Sequence, residues 1–316
     1  MKDFLTNWFY RIAAKGYLPR ELFERRLPRA EDLPARTGPL TIEIVSHCWN
    51  YSHWLKFQLS SLALHPPREH RVVMTVIHSP EDAGTVELLA DYSRMTIPNV
   101  VWNWVPVDKS QLFRRAIGRN LRAKATAADW IFFTDCDQMF CDGSLDALGA
   151  ALQGRRDYLV FPRVAQCSQR ISSPSEVTVD GPADPRLVAI DRSLFHPVVH
   201  QKAVGGLQIV HGDVARAVGY CESLRFYQTP QNGFTNTYED RAFRWLLGTH
   251  GVPIDIPHVY RIEHHHKGRY ESRKLPGWLR QLLSSAGRAD LFAKLRRSAP
   301  GGRSAPASPA QGRRAA

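Results

Sequence analysis

The chain has 316 residues, with 42 Lys+Arg against 30 Asp+Glu and a formal charge of +12. At 43% hydrophobic and 10% aromatic residues it is neither disordered throughout nor collagen-like or low in complexity. The charge does not mark a nucleic-acid binder: residues 39–266 carry 22 basic and 23 acidic side chains, whereas residues 267–316 carry twelve basic and two acidic.

Residues 1–38 read as a helical extension. Phe4, Leu5, Trp8, Phe9 and Ile12 share one helix face, which suits either docking on the core or a membrane surface, before Pro19, Pro28 and Pro34 interrupt the segment. A domain over residues 39–270 follows. Apolar strands are expected at 41–46 (TIEIVS), 72–78 (VVMTVIH), 100–107 (VVWNWVPV) and 130–134 (WIFFT). Helical spacing occupies 54–64, 84–95 and 113–128 between them. This alternation predicts an α/β fold with a mostly parallel central sheet flanked by helices. Ligands then belong at the carboxyl ends of the strands, just after Val45, Ile77 and Thr134. Further along, 159–163 reads as a strand, 172–185 as a loop, 239–247 as a helix, and 252–263 as holding one more strand. Residues 271–298 form a basic amphipathic segment with Leu275, Trp278, Leu279, Leu282 and Leu283 as its apolar stripe, and 299–316 a disordered tail. The five cysteines show no CxxC spacing, no signal peptide is visible, and no apolar run would span a membrane. Reduced thiols and a cytoplasmic location are expected, with peripheral attachment to an anionic membrane through the basic segment; packing of that segment on the domain is the alternative.

Three constellations could carry chemistry. Asp135-Cys136-Asp137 closes an apolar strand, and two carboxylates so placed can share a hard divalent cation and a diphosphate. Glu239-Asp240 opens a helix, where the macrodipole favours acids. The preceding Gln231–Tyr238 loop contains Asn232, Gly233, Phe234 and Asn236, a composition suited to stacking on and hydrogen-bonding a sugar, and a carboxylate at its end could take a proton from a hydroxyl. His264-His265-His266 offers imidazoles for Mn²⁺ or a similar metal; in an extended segment His264 and His266 share a face and His265 points away. Arg119-Asn120 lies on the helix before the Asp135 strand, facing either a phosphate or water.

Together these stretches resemble nucleotide-sugar glycosyltransferases of the GT-A (Rossmann-like) fold over roughly residues 40–268. IEIVSHCWNYSHWLKFQLSSL and GRNLRAKATAADWIFFTDCDQMF are similar to the nucleotide-sugar-binding half (39–140) of the large family-two group. GGLQIVHGDVARAVGYCE and NGFTNTYEDRAFRWLLGTHG resemble the acceptor-binding half (141–270) of galactosyltransferase- and chondroitin-synthase-type enzymes. The resemblance implies that Ser46 and Asp82 hold the nucleoside, with Arg119, Asn120 and Asp135 also on the donor. It implies a divalent cofactor, Mn²⁺ or Mg²⁺, on Asp137, Asp135 and one of His264 and His266. Asp240 would be the base, Glu239 would bind acceptor or donor sugar, and Gly205, Gly206, Asn232, Gly233, Phe234 and Asn236 would build the acceptor side. The activity implied is a metal-dependent, inverting transfer from a UDP-type donor to a hydroxyl of a glycan or lipid-linked acceptor. The first loop departs from the family in reading Ser-His-Cys-Trp, and the second in reading His-Ser-Pro-Glu-Asp. A catalytically silent glycan- or membrane-surface-binding protein of the same fold, and a nucleotidyltransferase, are the alternative readings.

Overall fold

A computed structural model describes Thr6 and residues 9–10, 12–179, 182–234 and 238–265. His266, Asn236, the basic amphipathic segment and the tail lie outside these residues. Contacts divide the chain into Met1–Tyr270 and Glu271–Ala316, and the strands and helices described lie in the first unit.

The domain begins β1 (Thr41–Cys48), α1 (Ser52–Leu64), β2 (Arg71–His78), α2 (Ala83–Ser93) and β3 (Val100–Pro106). The helix expected at 113–128 is shorter and starts anew. A single turn, α3 (Lys109–Leu112), is separated from α4 (Arg115–Ala125) by Arg114, whose φ of −107° and ψ of 84° are not helical. Next come β4 (Trp130–Phe133), β5 (Gln138–Phe140), α5 (Ser144–Leu152), β6 (Leu159–Pro162) and β7 (Val164–Ile171). The expected loop at 172–185 contains one 3₁₀ turn and β8 (Thr178–Val179), which pairs with β9 (Ala189–Ile190). The chain continues through β10 (Phe195–Val199), β11 (Gln208–His211), α6 (Gly212–Val218) and α7 (Glu239–Leu247). The single strand expected in 252–263 is two, β12 (Val252–Ile254) and β13 (Val259–His264), and they belong to different sheets.

The central sheet runs β12-β6-β11-β4-β1-β2-β3, and β11 alone is antiparallel to its neighbours among the described strands. It is the expected mostly parallel α/β sheet, and the alternation within each strand explains why both faces are covered. Ile42 and Ile44 of β1 and Trp130 and Phe132 of β4 enter one core with α1 and α5. Val45, Ile131 and Phe133 enter a second core with α4, α6 and α7. Strands buried on both sides read as near-continuous apolar runs, the pattern a parallel sheet needs. Glu43 is the exception, 2% exposed on β1. Its Oε1 accepts from Thr75 Oγ1 at 2.6 Å and Arg122 Nε at 2.8 Å, so the buried charge ties α4 to β1 and β2.

A second sheet, β10-β7-β13-β5, packs beside the first core and carries β13 next to the chain after β4. The N-terminal segment docks on the second core: Phe23 meets Trp245 at 5.0 Å between ring centroids, and Trp245 Nε1 donates to Leu18 O at 3.1 Å. No helix among the described residues is long and apolar enough to cross a membrane. All five cysteines are buried free thiols.

Candidate active site

β4 ends where Thr134 N donates to Val45 O at 3.0 Å, and the chain then turns away from the sheet. This turn displays Asp135 and Asp137 at the carboxyl ends of β1 and β4, as the ligand rule requires. Two contacts fix it. Gln58 of α1 donates through Nε2 to Asp135 O at 3.1 Å, and Thr134 Oγ1 donates to Gln138 Oε1 at 2.6 Å. Ser46 belongs to this scaffold and does not line the cleft: it is fully buried and donates to Gln58 Oε1 at 2.6 Å.

Gly205-Gly206 brings the two acidic motifs together. A Cβ on Gly206 would lie 3.0 Å from Asp135 Oδ2 and 2.8 Å from Gln138 Nε2, and one on Gly205 would lie 3.7 Å from Asp240 Cβ. Asp135 and Asp240 therefore flank one glycine pair, which leaves no room for a side chain at Gly206. Arg119 holds the pair in place. It is fully buried, donating through Nη2 to Gly205 O at 2.8 Å and through Nη1 to Tyr220 Oη at 2.9 Å.

Arg115, four residues before Arg119 and on the same helix face, links the motifs through charge. Its Nη1 donates to Asp135 Oδ1 at 3.1 Å and its Nε to Glu239 Oε1 at 3.0 Å. Burial pulls the Arg115 pKa down, but the attraction of Glu239 and Asp135 outweighs it and the net shift is upward. Arg119 Nη2 also lies 3.7 Å from Asp135 Oδ1. Asp135 thus faces two guanidinium groups.

Asp137 is different. It is 8% exposed, and its Oδ1 is buried with no hydrogen-bond partner among the described residues. Its Oδ2 lies 3.4 Å from His264 Nε2. His264 reaches this point because β13 runs beside the turn, Ile262 N donating to Asp137 O at 3.0 Å. Its ring stacks on Trp54 at 5.0 Å and meets Tyr51 edge-on at 5.3 Å. As strand alternation predicts, His264 is buried and His265 exposed. A hard divalent cation fits the unsatisfied carboxylate oxygen and the neighbouring imidazole of this pair. No group of three or more His, Cys, Asp or Glu side chains able to hold a metal exists among the described residues.

The remaining expected residues divide between scaffold and rim. Asp82 caps α2: its Oδ1 accepts from Thr85 N at 3.2 Å and its Oδ2 from Asn50 N at 2.6 Å, tying together the loops after β1 and β2. Asn120 Oδ1 accepts from Tyr220 N at 2.9 Å and so anchors the turn after α6. Asn232 and Gly233 are exposed. Phe234 packs on Phe113 at 4.4 Å, which in turn meets Trp49 at 5.4 Å, forming an aromatic wall. Tyr238, immediately before the acid pair, adopts a φ of +55°, a conformation costing a non-glycine residue on the order of 1 kcal/mol.

Sequence reasoning missed Gln58, Arg115 and Arg261. The Arg115 signal was its spacing of four from Arg119. Burial lowers the Arg261 pKa but Asp137 and Asp135 raise it more, so a third guanidinium responds to this acidic turn.

No protein-family model and no curated protein matches the chain. Among solved structures, it is similar to S. aureus TarS 1-349 in complex with UDP-GlcNAc, at 11% identity over 74% of this chain and 61% of that one, with a TM-score of 0.47. It is also similar to the mannosyltransferase PcManGT from Pyrobaculum calidifontis in complex with GDP-Man and Mn²⁺, at 16% identity over 94% and 77%, with a TM-score of 0.40. The chain spans about three-fifths of the TarS 1-349 chain.

Proposed function

We propose that the protein is a glycosyltransferase that moves a sugar from a nucleotide-sugar donor, of UDP type, to a hydroxyl of a glycan or lipid-linked acceptor with inversion. The observation that carries this reading is the juxtaposition at Gly205-Gly206, where Asp135 lies against one glycine and Asp240 against the other. Arg115, which pairs with Asp135 from α4, brings a guanidinium to this floor, where a donor diphosphate would meet positive charge. A divalent metal held by Asp137 and His264 would supply the positive charge that stabilises a nucleoside diphosphate leaving group.

Asp240 is the base in this account. It opens α7 half-buried, and its carboxylate would accept the proton of the acceptor hydroxyl as that oxygen attacks the anomeric carbon. The attack comes from the face opposite the leaving group, so one displacement inverts the configuration. Glu239 is held by Arg115 and orients the sugar instead of taking the proton. The aromatic wall of Trp49, Phe113 and Phe234 gives a saccharide an apolar surface to stack on. The domain could meet its acceptor at an anionic membrane through the basic segment 271–298, which a truncation before Leu275 would test by vesicle sedimentation; equal binding of the two proteins would remove that idea. The transfer itself is tested by following UDP release from a panel of UDP-sugars with Mn²⁺. Wild-type-like turnover in both Asp137→Ala and Asp240→Asn would defeat it.

A further inference from the structure

Beyond the acid pair, α7 continues into a second feature. Arg241, Arg244 and Trp245 line a cleft of about 640 Å³ together with Arg20, Lys202 and His250. Glu21 is the one acid among its lining residues, and it already pairs with Arg20 (Nε to Oε1, 2.9 Å). Four guanidinium or ammonium groups thus face one carboxylate, in a domain whose body is otherwise neutral.

Two of these cations each have one buried nitrogen without a hydrogen-bond partner among the described residues. Arg244 is 6% exposed, and its Nη1 is buried without a hydrogen-bond partner among the described residues; the same holds for Arg20 Nη1. Arg244 Nε donates to Asp240 O at 3.3 Å, so the helix engages the inner nitrogen of the fork and not Nη1. Burial draws the Arg244 pKa down, with Asp240 opposing. A buried guanidinium N–H with no acceptor is costly, and such orphans occur where a ligand completes them. Arg20 has a partial structural reason for its place. Its guanidinium lies flat against Gly248 at the carboxyl end of α7, where a Cβ would sit 2.6 Å from Arg20 Cζ and where the helix dipole favours a cation. That accounts for neither orphan N–H, nor for Lys202 and Arg241 on the same cleft.

Guanidinium forks match phosphate oxygens bidentately, and a net excess of three positive charges favours a dianion over a carboxylate. The location is also informative. Arg244 follows Asp240 by four residues on the same helix face, and Arg241 is its immediate successor. Lys202 precedes Gly205 by three residues, and its loop is held to the end of α7 by Ala203 N donating to His250 O at 2.9 Å. A phosphate held by Arg241 and Arg244 would lie within about one helical turn of Asp240 along α7.

We propose that this cleft binds the phosphate group of a phosphorylated acceptor. The role as acceptor rests on the glycosyl-transfer reading above; the phosphate site does not. The test is calorimetric titration of the full chain with inorganic phosphate, comparing wild type, Arg244→Gln, the exposed pair K202A/R241A and a charge-matched exposed pair outside the cleft, R68A/R71A, at the start of β2. Saturable binding that weakens at least tenfold in K202A/R241A and in Arg244→Gln, and less than twofold in R68A/R71A, is expected. Should Arg244→Gln not fold, the surface pair decides alone. Absent saturation, or equal weakening by both surface pairs, would overturn the proposal. Sedimentation with phosphatidylcholine vesicles containing phosphatidic acid separates the sources. Binding lost in K202A/R241A assigns a lipid headgroup, and binding indifferent to that pair assigns a soluble phosphorylated saccharide. Failure of UDP release with every donor would remove the acceptor role while leaving the phosphate titration standing.

Discussion

Replacing Arg115 with methionine removes a side chain that bridges both acidic motifs. Its guanidinium contacts Asp135 Oδ1 at 3.1 Å and Glu239 Oε1 at 2.9 Å, and the side chains involved are 24%, 19% and 5% exposed respectively. Deleting one partner of a buried pair costs about 3–5 kcal/mol, because the other charge stays buried and uncompensated. Water can reach Asp135, which also keeps Arg119 at 3.7 Å, so most of the penalty falls on Glu239. A loss of about 3 kcal/mol is expected, measured as a shift of the urea midpoint at unchanged slope. The double variant R115M/E239Q should recover about 2 kcal/mol of it, since the neutral amide removes a buried charge that has lost its Arg115 pairing. An Arg115→Met protein within about 0.5 kcal/mol of wild type, or strict additivity in the cycle, would refute the bridge as an electrostatic element.

Three other outcomes follow from particular contacts. Gly206→Ala must displace Gln138 Nε2 and Asp135 Oδ2, 2.8 and 3.0 Å from the added carbon, and should lower both stability and donor binding, read by urea unfolding and by nucleotide titration. Asp240→Asn should leave the urea midpoint within about 0.5 kcal/mol while turnover falls about 10²–10⁴-fold, the range for removing a general base. Burial lowers the pKa values of His53, His65, His78, His200 and His211, so the unfolded chain binds protons that the folded one refuses. Their contribution is intact above pH 6.5, the ordinary value, and is lost as the pH falls below it. A urea midpoint unchanged from pH 7 to pH 5 would contradict this.

The parallel half of the fold was legible because β1, β2 and β4 are apolar runs and the stretches between β1, β2, β3 and β4 carry helical spacing. The second sheet was not. β5 has three residues, β7 (VAQCSQRI) mixes polar with apolar, and β13 carries a register irregularity between Arg261 and Glu263. These strands are defined by pairing between segments distant in sequence, Tyr260 with Gln166 and Val259 with Phe140, which local pattern does not encode. The site followed the same division. Asp135 and Asp137 were found because a strand ends on them, and Asp240 because it opens a helix. Ser46, Asp82 and Asn120 are expected on the donor, and the structure gives each a scaffold contact as well: Ser46 with Gln58, Asp82 with Thr85 and Asn50, and Asn120 Oδ1 with Tyr220. Polarity at a strand end marks the neighbourhood of a site; only the partners show whether a side chain faces a ligand or the scaffold. Arg115 was passed over for the converse reason, since most helical arginines face water.

The central claim is that the paired acids around Gly205-Gly206 serve sugar transfer, and one measurement addresses it directly. UDP released from UDP-sugars in the presence of Mn²⁺ should be detectable with the wild-type chain, and should fall at least a hundredfold in both Asp137→Ala and Asp240→Asn, with folding retained. Turnover indifferent to both substitutions, or no release from any donor, would contradict it.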